Sequence, residues 1–453
     1  MKIFLDSIGC RLNQAEIERI ARQFRSAGHE IVGSAADADL AVVNTCAVTS
    51  AAAADSRKVI RRAKNAGVDE IIATGCWATI KPQKAEEIAG KVVLNAEKET
   101  LVPDYLNLEP ETFDLEPLER VPLPGLRART RAFIKVQDGC DNECTFCITT
   151  IARGKSVSRP LEAILADIRA ALDGGTKEIV LTGVHLGAWK KNPHPNLPPQ
   201  GEGTKISPPR GERFVLPPEG GDARRAEGGL GLLIREILDK TSVPRLRLSS
   251  LEPWDLEADL FELWRDPRLM PHLHLPLQSG SDSVLRRMRR KTTREGFRQI
   301  VAAARAVMPD VAITTDIIAG FPGESEAEFT ETLDFVKEIG FAGGHIFTYS
   351  PREGTPAARM KNPLPKAVRK ERNAVLRERF AKMSADYREQ FIGRTISVLW
   401  ESSLRKSEAG WEMSGLTENY LRVHALSPEP RWNQIDQVHI LEIREGVLYG
   451  KIK

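Results

Sequence analysis

The chain of 453 residues has no apolar run long enough to span a bilayer, and its opening, MKIFLDSIGC, puts Asp6 and Cys10 where a secretory signal needs an unbroken apolar core. No membrane partner is therefore expected, and the chain is assigned to the cytoplasm. Charge of one sign is not in excess either: the formal net charge of +3 is too small to mark a nucleic-acid binder, so any basic surface has to be local. Cysteine is scarce, with six residues and none after Cys147. In a reducing compartment so few thiols in so long a chain point to ligands or catalysts rather than disulfides. Core-forming material is plentiful: 41% of residues are hydrophobic, enough for two or three domains.

Three cysteines fall together in FIKVQDGCDNECTFC, as Cys140, Cys144 and Cys147. That spacing, directly after an apolar segment, lets one loop place three soft thiolates around an iron–sulfur cluster. A four-iron cluster with three protein ligands keeps one iron open, and an open iron can chelate the amino and carboxylate groups of S-adenosylmethionine (SAM). An electron passed through that contact breaks the sulfonium bond and yields a 5′-deoxyadenosyl radical, chemistry that belongs to the cofactor. A zinc knuckle is the competing reading, but it wants a fourth Cys or His nearby, and the first histidine after the motif is His185.

The remaining cysteines look scattered until the local pattern is considered. MKIFLDSIGC, ADLAVVNTC and EIIATGC each read as a short apolar strand running into Cys10, Cys46 or Cys76, and the helical patterns NQAEIERIARQFRSAG and SAAAADSRKVIRRAKNAG separate them. Such a βαβαβ unit makes a flavodoxin- or Rossmann-like parallel sheet, whose strand C-termini share one edge. Any one of these thiols alone would read as a buried free cysteine. Three at one sheet edge point to a second three-thiolate cluster.

The α/β rhythm continues. GTKEIVLTGVHLGAW, RLRLSSLEP, HLHLPLQSG, AITTDIIAGFPGE and GGHIFTYSPREGT each begin β-rich and end in turn residues, with helical stretches such as RPLEAILADIRAALDGG and SEAEFTETLDFVKEIG between them. Repeated βα units predict a full or partial parallel barrel with its functional groups at the strand C-terminal ends. From residue 190 to 229 the chain turns rich in Pro and Gly without a sustained apolar period, which predicts a disordered, dispensable insertion on the active-site side. The tail reads as five short strands, a small barrel of a kind that often binds RNA. With eight basic and eight acidic residues from Gly393 onward it would need aromatics such as Trp411 and Tyr420 to do so. Two basic runs are further candidates for phosphate contact: Arg286, Arg287, Arg289, Arg290, Lys291, Arg294 and Arg298, and Arg57, Lys58, Arg61, Arg62 and Lys64 beside Cys46.

Several motifs together carry a family resemblance: IGCRLNQAE, VNTCAVTSAAA, ATGC, GCDNECTFC with RGKSVSRP, HLHLPLQSGSDSVLRRMRRKTT, TTDIIAGFPGE and FTYSPREGTPAA. The sequence resembles the methylthiotransferase family of radical SAM enzymes, most closely the branch acting on C2 of N6-threonylcarbamoyladenosine at tRNA position 37. Sister branches act on isopentenyladenosine in tRNA or on an aspartate of a ribosomal protein. The resemblance implies an N-terminal auxiliary-cluster domain (1–105), a linker (106–128), a radical SAM partial TIM-like barrel (129–388, with the 190–229 insertion) and a C-terminal TRAM-like β domain (389–453). It implies two [4Fe-4S] clusters, held by Cys140, Cys144 and Cys147 for SAM cleavage and by Cys10, Cys46 and Cys76 for the sulfur that is methylated and transferred. The implied partners are the tRNA anticodon stem-loop, a reductant such as a flavodoxin or ferredoxin, and a sulfur source.

Candidate SAM contacts are Phe146 in the cluster loop, Thr182, Gly183, Val184 and His185 at a strand end, and Ser249 and Gln278 at later ones. Ser279 shares the last of these turns. Gly320 and Gly323 would let backbone approach an adenine or ribose, with Phe321 between them. Arg159 is the candidate fork for the SAM carboxylate. His272 and His274 alternate with apolar residues, so at least one is read as structural. The reading from a different class is a non-catalytic, zinc-binding RNA-binding protein.

Overall fold

The computed structural model describes residues 1–109, 130–191, 229–408 and 410–453, so nearly all of the expected linker and insertion lies outside the described residues. In the N-terminal sheet the strands run Glu30–Val32, Lys2–Ser7, Leu40–Thr45, Glu70–Gly75, Gly90–Val92, every pairing parallel. Leu40–Thr45 is buried along its whole length, as a central strand covered on both faces must be. Its alternation sends Leu40 and Val42 toward Ile17, Ile20 and Phe24 of the helix Arg11–Ser26, and Ala41 and Val43 toward Val59, Ile60 and Ala63 of the helix Ser50–Asn65. The first and third strands of the chain are neighbours in this sheet, and between such strands an open α/β sheet has its binding crevice. The two three-residue edge strands escape the sequence reading, because so short a stretch holds no period.

Two parallel triplets make the central domain. Arg131–Lys135 pairs with Glu178–Thr182 and that with Arg245–Leu248; His272–His274 pairs with Ala312–Ala319 and that with Gly343–Thr348. Bridges from Leu246 to Leu269 and from Ser250 to His274 join them into six parallel strands. Among the described residues no pairing closes the first strand on the last, so the barrel is partial. Outer helices supply Ile164, Ile168, Ile234, Ile237, Phe297, Val301, Phe335 and Val336 to one continuous core. The helix Glu326–Ile339 shows how local chemistry sets such an element. Ser325 accepts from the Glu328 N–H while the Glu328 carboxylate accepts from Ser325 N–H, and left-handed Gly340 ends it.

The N-terminal domain packs on the barrel through Arg11–Ser26, with Ala15 against Phe133 and Val180. A buried ionic network seals the contact: Glu16 meets Lys98 at 2.8 Å, Arg153 at 2.9 Å and Lys135 at 3.3 Å. Burial alone would raise the Glu16 pKa, but the three cations outweigh it and hold it well below 4.5.

The tail is a closed five-stranded barrel in the order Thr395–Ser407, Gly410–Thr417, Arg422–Ser427, Val447–Ile452, Ile435–Arg444, a closure that leaves no free sheet edge. Val398, Trp400, Met413, Val423, Val438 and Leu448 fill it. It docks where the central strands begin. Arg245 and Arg247, both fully buried, donate to the carbonyls of Leu416 (3.1 Å) and Glu418 (2.9 Å), and Arg247 also forks onto Glu178.

Candidate active site

Cys10, Cys46 and Cys76 follow the C-terminal ends of three adjacent parallel strands, so the topology alone brings them to one edge. Two glycines make the approach close. Gly9, at φ +106°, sits where an added Cβ would lie 2.6 Å from the Cys46 Sγ; Gly75, at φ +92°, sits where it would lie 2.4 Å from the Thr45 carbonyl oxygen. Gly9→Ala should therefore push the Cys10 loop off Cys46, lowering iron bound at this edge at least several-fold while the Cys140 loop still loads; iron analysis of reconstituted protein checks this. Burial pushes the Cys46 thiol up to about 11, with Cys10 and Cys76 adding to the rise. Such thiols give up their protons to a soft metal centre rather than to water.

Each thiol of the second set has an N–H donor. Asn142 N–H points to the Cys140 sulfur (3.4 Å), Thr149 N–H to Cys147 (3.4 Å) and the Arg290 guanidinium to Cys144 (3.8 Å), contacts that favour thiolates. Thr145 anchors the loop, its N–H donating to the Met288 carbonyl and its hydroxyl to that of Arg287. His185 stands behind Cys140, 2.5 Å from Asp255. Burial works against its charge, but Asp255 and Cys140 prevail and hold its pKa up to about 10. Among the described residues no group of three His, Cys, Asp or Glu forms a single-ion site. The fit to a larger cluster rests on the donor set: six free thiols in two triplets.

A cavity of about 590 Å³ joins the pieces. Cys10, Cys46 and Cys76 form one wall; Thr182, Gly183, Val184, Ser249, His272, His274 and Asp316 line the barrel side. From the Cys140–Cys147 loop it is Thr149 and Arg153, just past the last cysteine, that reach the walls. Among the described residues the buried Ser249 Oγ and His272 Nδ1 have no hydrogen-bond partner although they border this space, the pattern expected of groups that serve a ligand, and Asp316 Oδ1 faces the His274 Nε2 at 3.4 Å. Arg153, which the sequence reading passed over, ties the two cysteine loops together. Its guanidinium donates to Asn13 (2.7 Å), three residues after Cys10, and to Asp138 (3.0 Å), two before Cys140. No spacing in the sequence distinguishes it from Arg159 nearby.

Other expected contacts lie elsewhere. Arg159 is not at the cavity: Asp167 (2.8 Å) and the Lys135 carbonyl (2.8 Å) hold its guanidinium, which corrects its reading as the SAM fork. Phe146 and Phe321 pack with Val284, Met288 and Tyr349 in an apolar cluster. Gln278 is buried with φ +72° and bridges to Ile317, and Ser279 is buried near the Thr332 hydroxyl. At Gly320 the room assigned to an adenine is taken by Arg369, whose Cγ lies 2.4 Å from an added Cβ. The space beside Gly323 is open. His272 is buried and bonds Thr314 (3.2 Å), and burial holds its pKa well below 6.5, so it is neutral; His274 meets the same hydroxyl at 3.0 Å. The longer basic run is largely spent internally, with Arg287 on Glu328, Arg290 on Glu252 and Arg298 on Glu338. In the other, Arg57 lies over Trp77, whereas Arg61, Arg62 and Lys64 are exposed.

With this geometry in place, comparison with known proteins becomes specific. The Radical SAM superfamily profile matches residues 134–336, and Uncharacterized protein family UPF0004 matches residues 2–95. "Threonylcarbamoyladenosine tRNA methylthiotransferase MtaB" of Thermotoga maritima is 34% identical over 98% of this chain and 95% of its own length; the Bacillus subtilis protein of that name is 34% identical over 96% and 93%. The "tRNA-2-methylthio-N(6)-dimethylallyladenosine synthase" of Maricaulis maris is 31% identical over 100% and 97%. Among solved structures, the radical SAM methyltransferase TsrM from Kitasatospora setae superposes with a TM-score of 0.55 over 79% of this chain and 75% of that one, at 13% identity, a likeness of fold alone. Near-full-length identity to these relatives, joined to a three-cysteine loop at the mouth of a six-stranded partial barrel, makes the chain a member of the radical SAM methylthiotransferase family, which works with SAM and [4Fe-4S] clusters.

Proposed function

We propose that this enzyme converts N6-threonylcarbamoyladenosine at position 37 of tRNA to its 2-methylthio derivative, using one cluster on Cys140, Cys144 and Cys147 and a second on Cys10, Cys46 and Cys76. The observation that carries the reading is one cavity walled by the N-terminal cysteine triplet, by the barrel strands and by Thr149 and Arg153 just past the Cys140–Cys147 loop. When bound, the clusters and SAM supply the radical, the sulfur and the methyl group. The chain's own residues fix geometry: radical capture requires reacting atoms about 3–3.5 Å apart, and Arg153 links the segment beside Cys10 to the segment before Cys140.

The choice of base rests on two supports. The 34% relatives bear the threonylcarbamoyladenosine name. The barrel wall also offers Ser249, Ser250, His274, His345 and Asp316, polar groups that suit a threonylcarbamoyl hydroxyl and carboxylate. A dimethylallyl substituent would offer no partner to the unbonded Ser249 hydroxyl, a basis for discrimination. The exposed Arg61, Arg62 and Lys64 are suited to phosphate neutralisation beside the Cys46 edge. Nucleoside analysis of tRNA from a deletion strain tests the proposal. Expected is loss of the 2-methylthio derivative with accumulation of unmodified N6-threonylcarbamoyladenosine, both reversed by the gene. Loss of 2-methylthio-isopentenyladenosine instead, or intact tRNA with an unmodified ribosomal protein, would overturn it.

A further inference from the structure

The C-terminal barrel reaches the cavity through Tyr420, in the turn between Gly410–Thr417 and Arg422–Ser427. Its φ of +69° is a left-handed backbone that a tyrosine keeps only where its surroundings impose it. They do so here. Tyr420 N–H donates to the Thr417 carbonyl (3.1 Å), Thr417 N–H to that of Leu421 (3.0 Å), and the buried Arg245 and Arg247 of the central barrel clamp the carbonyls of Leu416 and Glu418, just before the tyrosine. The ring stacks on His272 at 4.7 Å and 26°, with the Arg247 guanidinium 4.8 Å from its centroid. Its oxygen accepts from Arg11 (2.9 Å) and from Arg131 (3.1 Å). Arg11 directly follows Cys10, and Arg131 opens the first barrel strand. One phenolic oxygen thus joins all three domains beside the cavity. This position also corrects the expectation that Tyr420 is a surface aromatic for RNA.

We infer that Tyr420 is a positioning residue of the active site, which fixes the Cys10 loop against the barrel through Arg11 and so sets where the N-terminal domain presents its sulfur to the substrate carbon. The inference rests on the two-cluster reading above. Among the described residues, no other residue of the C-terminal domain borders the cavity. Charge-assisted bonds from arginines of two other domains are the kind of support that holds a reacting group to fractions of an ångström. A misplacement of about 1 Å costs on the order of a hundredfold in rate, and a smaller slip correspondingly less.

Tyr420→Phe is the decisive variant, since it keeps the ring and its stack and removes only the bridging oxygen. With both clusters loaded and dithionite as reductant, methylthiolated product per 5′-deoxyadenosine should fall about tenfold while SAM cleavage persists. In a Cys140/Cys144/Cys147→Ala background, the electron paramagnetic resonance spectrum of the reduced N-terminal cluster should change with Tyr420→Phe at unchanged iron content, melting temperature and tRNA affinity. Arg11→Gln should reproduce both effects, and the double variant should be no worse than either single one. A parental product ratio and spectrum in Tyr420→Phe would overturn the inference. So would uncoupling that comes with lost iron or weakened tRNA binding, because that is what a purely structural tyrosine would give. If the parent enzyme does not modify the proposed base, the substrate reading fails, while the spectroscopic comparison still decides the role of Tyr420.

Discussion

Replacing Cys140, Cys144 and Cys147 with alanine abolishes 5′-deoxyadenosine release, and replacing Cys10, Cys46 and Cys76 leaves that release intact while ending methylthiolation: this is the expected result of the paired experiment. Each triple variant should hold about four irons per chain after anaerobic reconstitution, against about eight in the parent, if each triplet holds a four-iron cluster as proposed. The asymmetry follows from placement. The first triplet sits in the loop that follows the first barrel strand, whereas the second lies at the edge of the N-terminal sheet; burial raises Cys144 of the one and Cys46 of the other alike, to about 11. Iron content that falls to about zero in either variant alone would mean a single centre shared between the triplets. Two zincs per chain and no SAM cleavage in the parent would return the zinc-scaffold reading.

Glu16→Gln should cost about 3–5 kcal/mol in folding free energy, the scale for breaking a buried ion pair by removing one partner. Glu16 is 4% exposed and meets Lys98 (4%), Arg153 (2%) and Lys135 (12%). Asp138 still serves Arg153 and Lys135 after the change. Among the described residues Lys98 meets no other carboxylate, so its ammonium is left buried beside the Asn44 side chain. A second change, Lys98→Met, should recover a large part of the loss, since removing both charges avoids an uncompensated one. Denaturant unfolding of the parent, Glu16→Gln and the double variant measures this. A double variant less stable than Glu16→Gln would show that Lys98 contributes through something other than its charge.

Local signals carried much of this protein. Strand-to-cysteine junctions were legible at Cys10, Cys46 and Cys76 because apolar runs of β-branched residues end there in polar turns, and parallel topology then requires a common edge. The βα alternation likewise foretold a barrel, and turn chemistry foretold the five tail strands. Side-chain direction was not legible. Arg153 and Arg159 share one short segment, yet the first reaches the cavity and the second turns to Asp167. Gly320 has the backbone freedom expected of it, at φ +75°, but Arg369 fills the space beside it.

The sequence by itself determined where the six thiols lie and which strands lead into Cys10, Cys46 and Cys76, since residue type and local pattern are properties of the chain. The tertiary structure decided which polar groups meet across domains: Arg153 between the two cysteine loops, Glu16 under three cations, Tyr420 between Arg11 and Arg131. Those contacts span up to 409 residues of chain, as from Arg11 to Tyr420. Packing of one domain on another creates them, and no period or spacing within a single segment encodes a partner that distant.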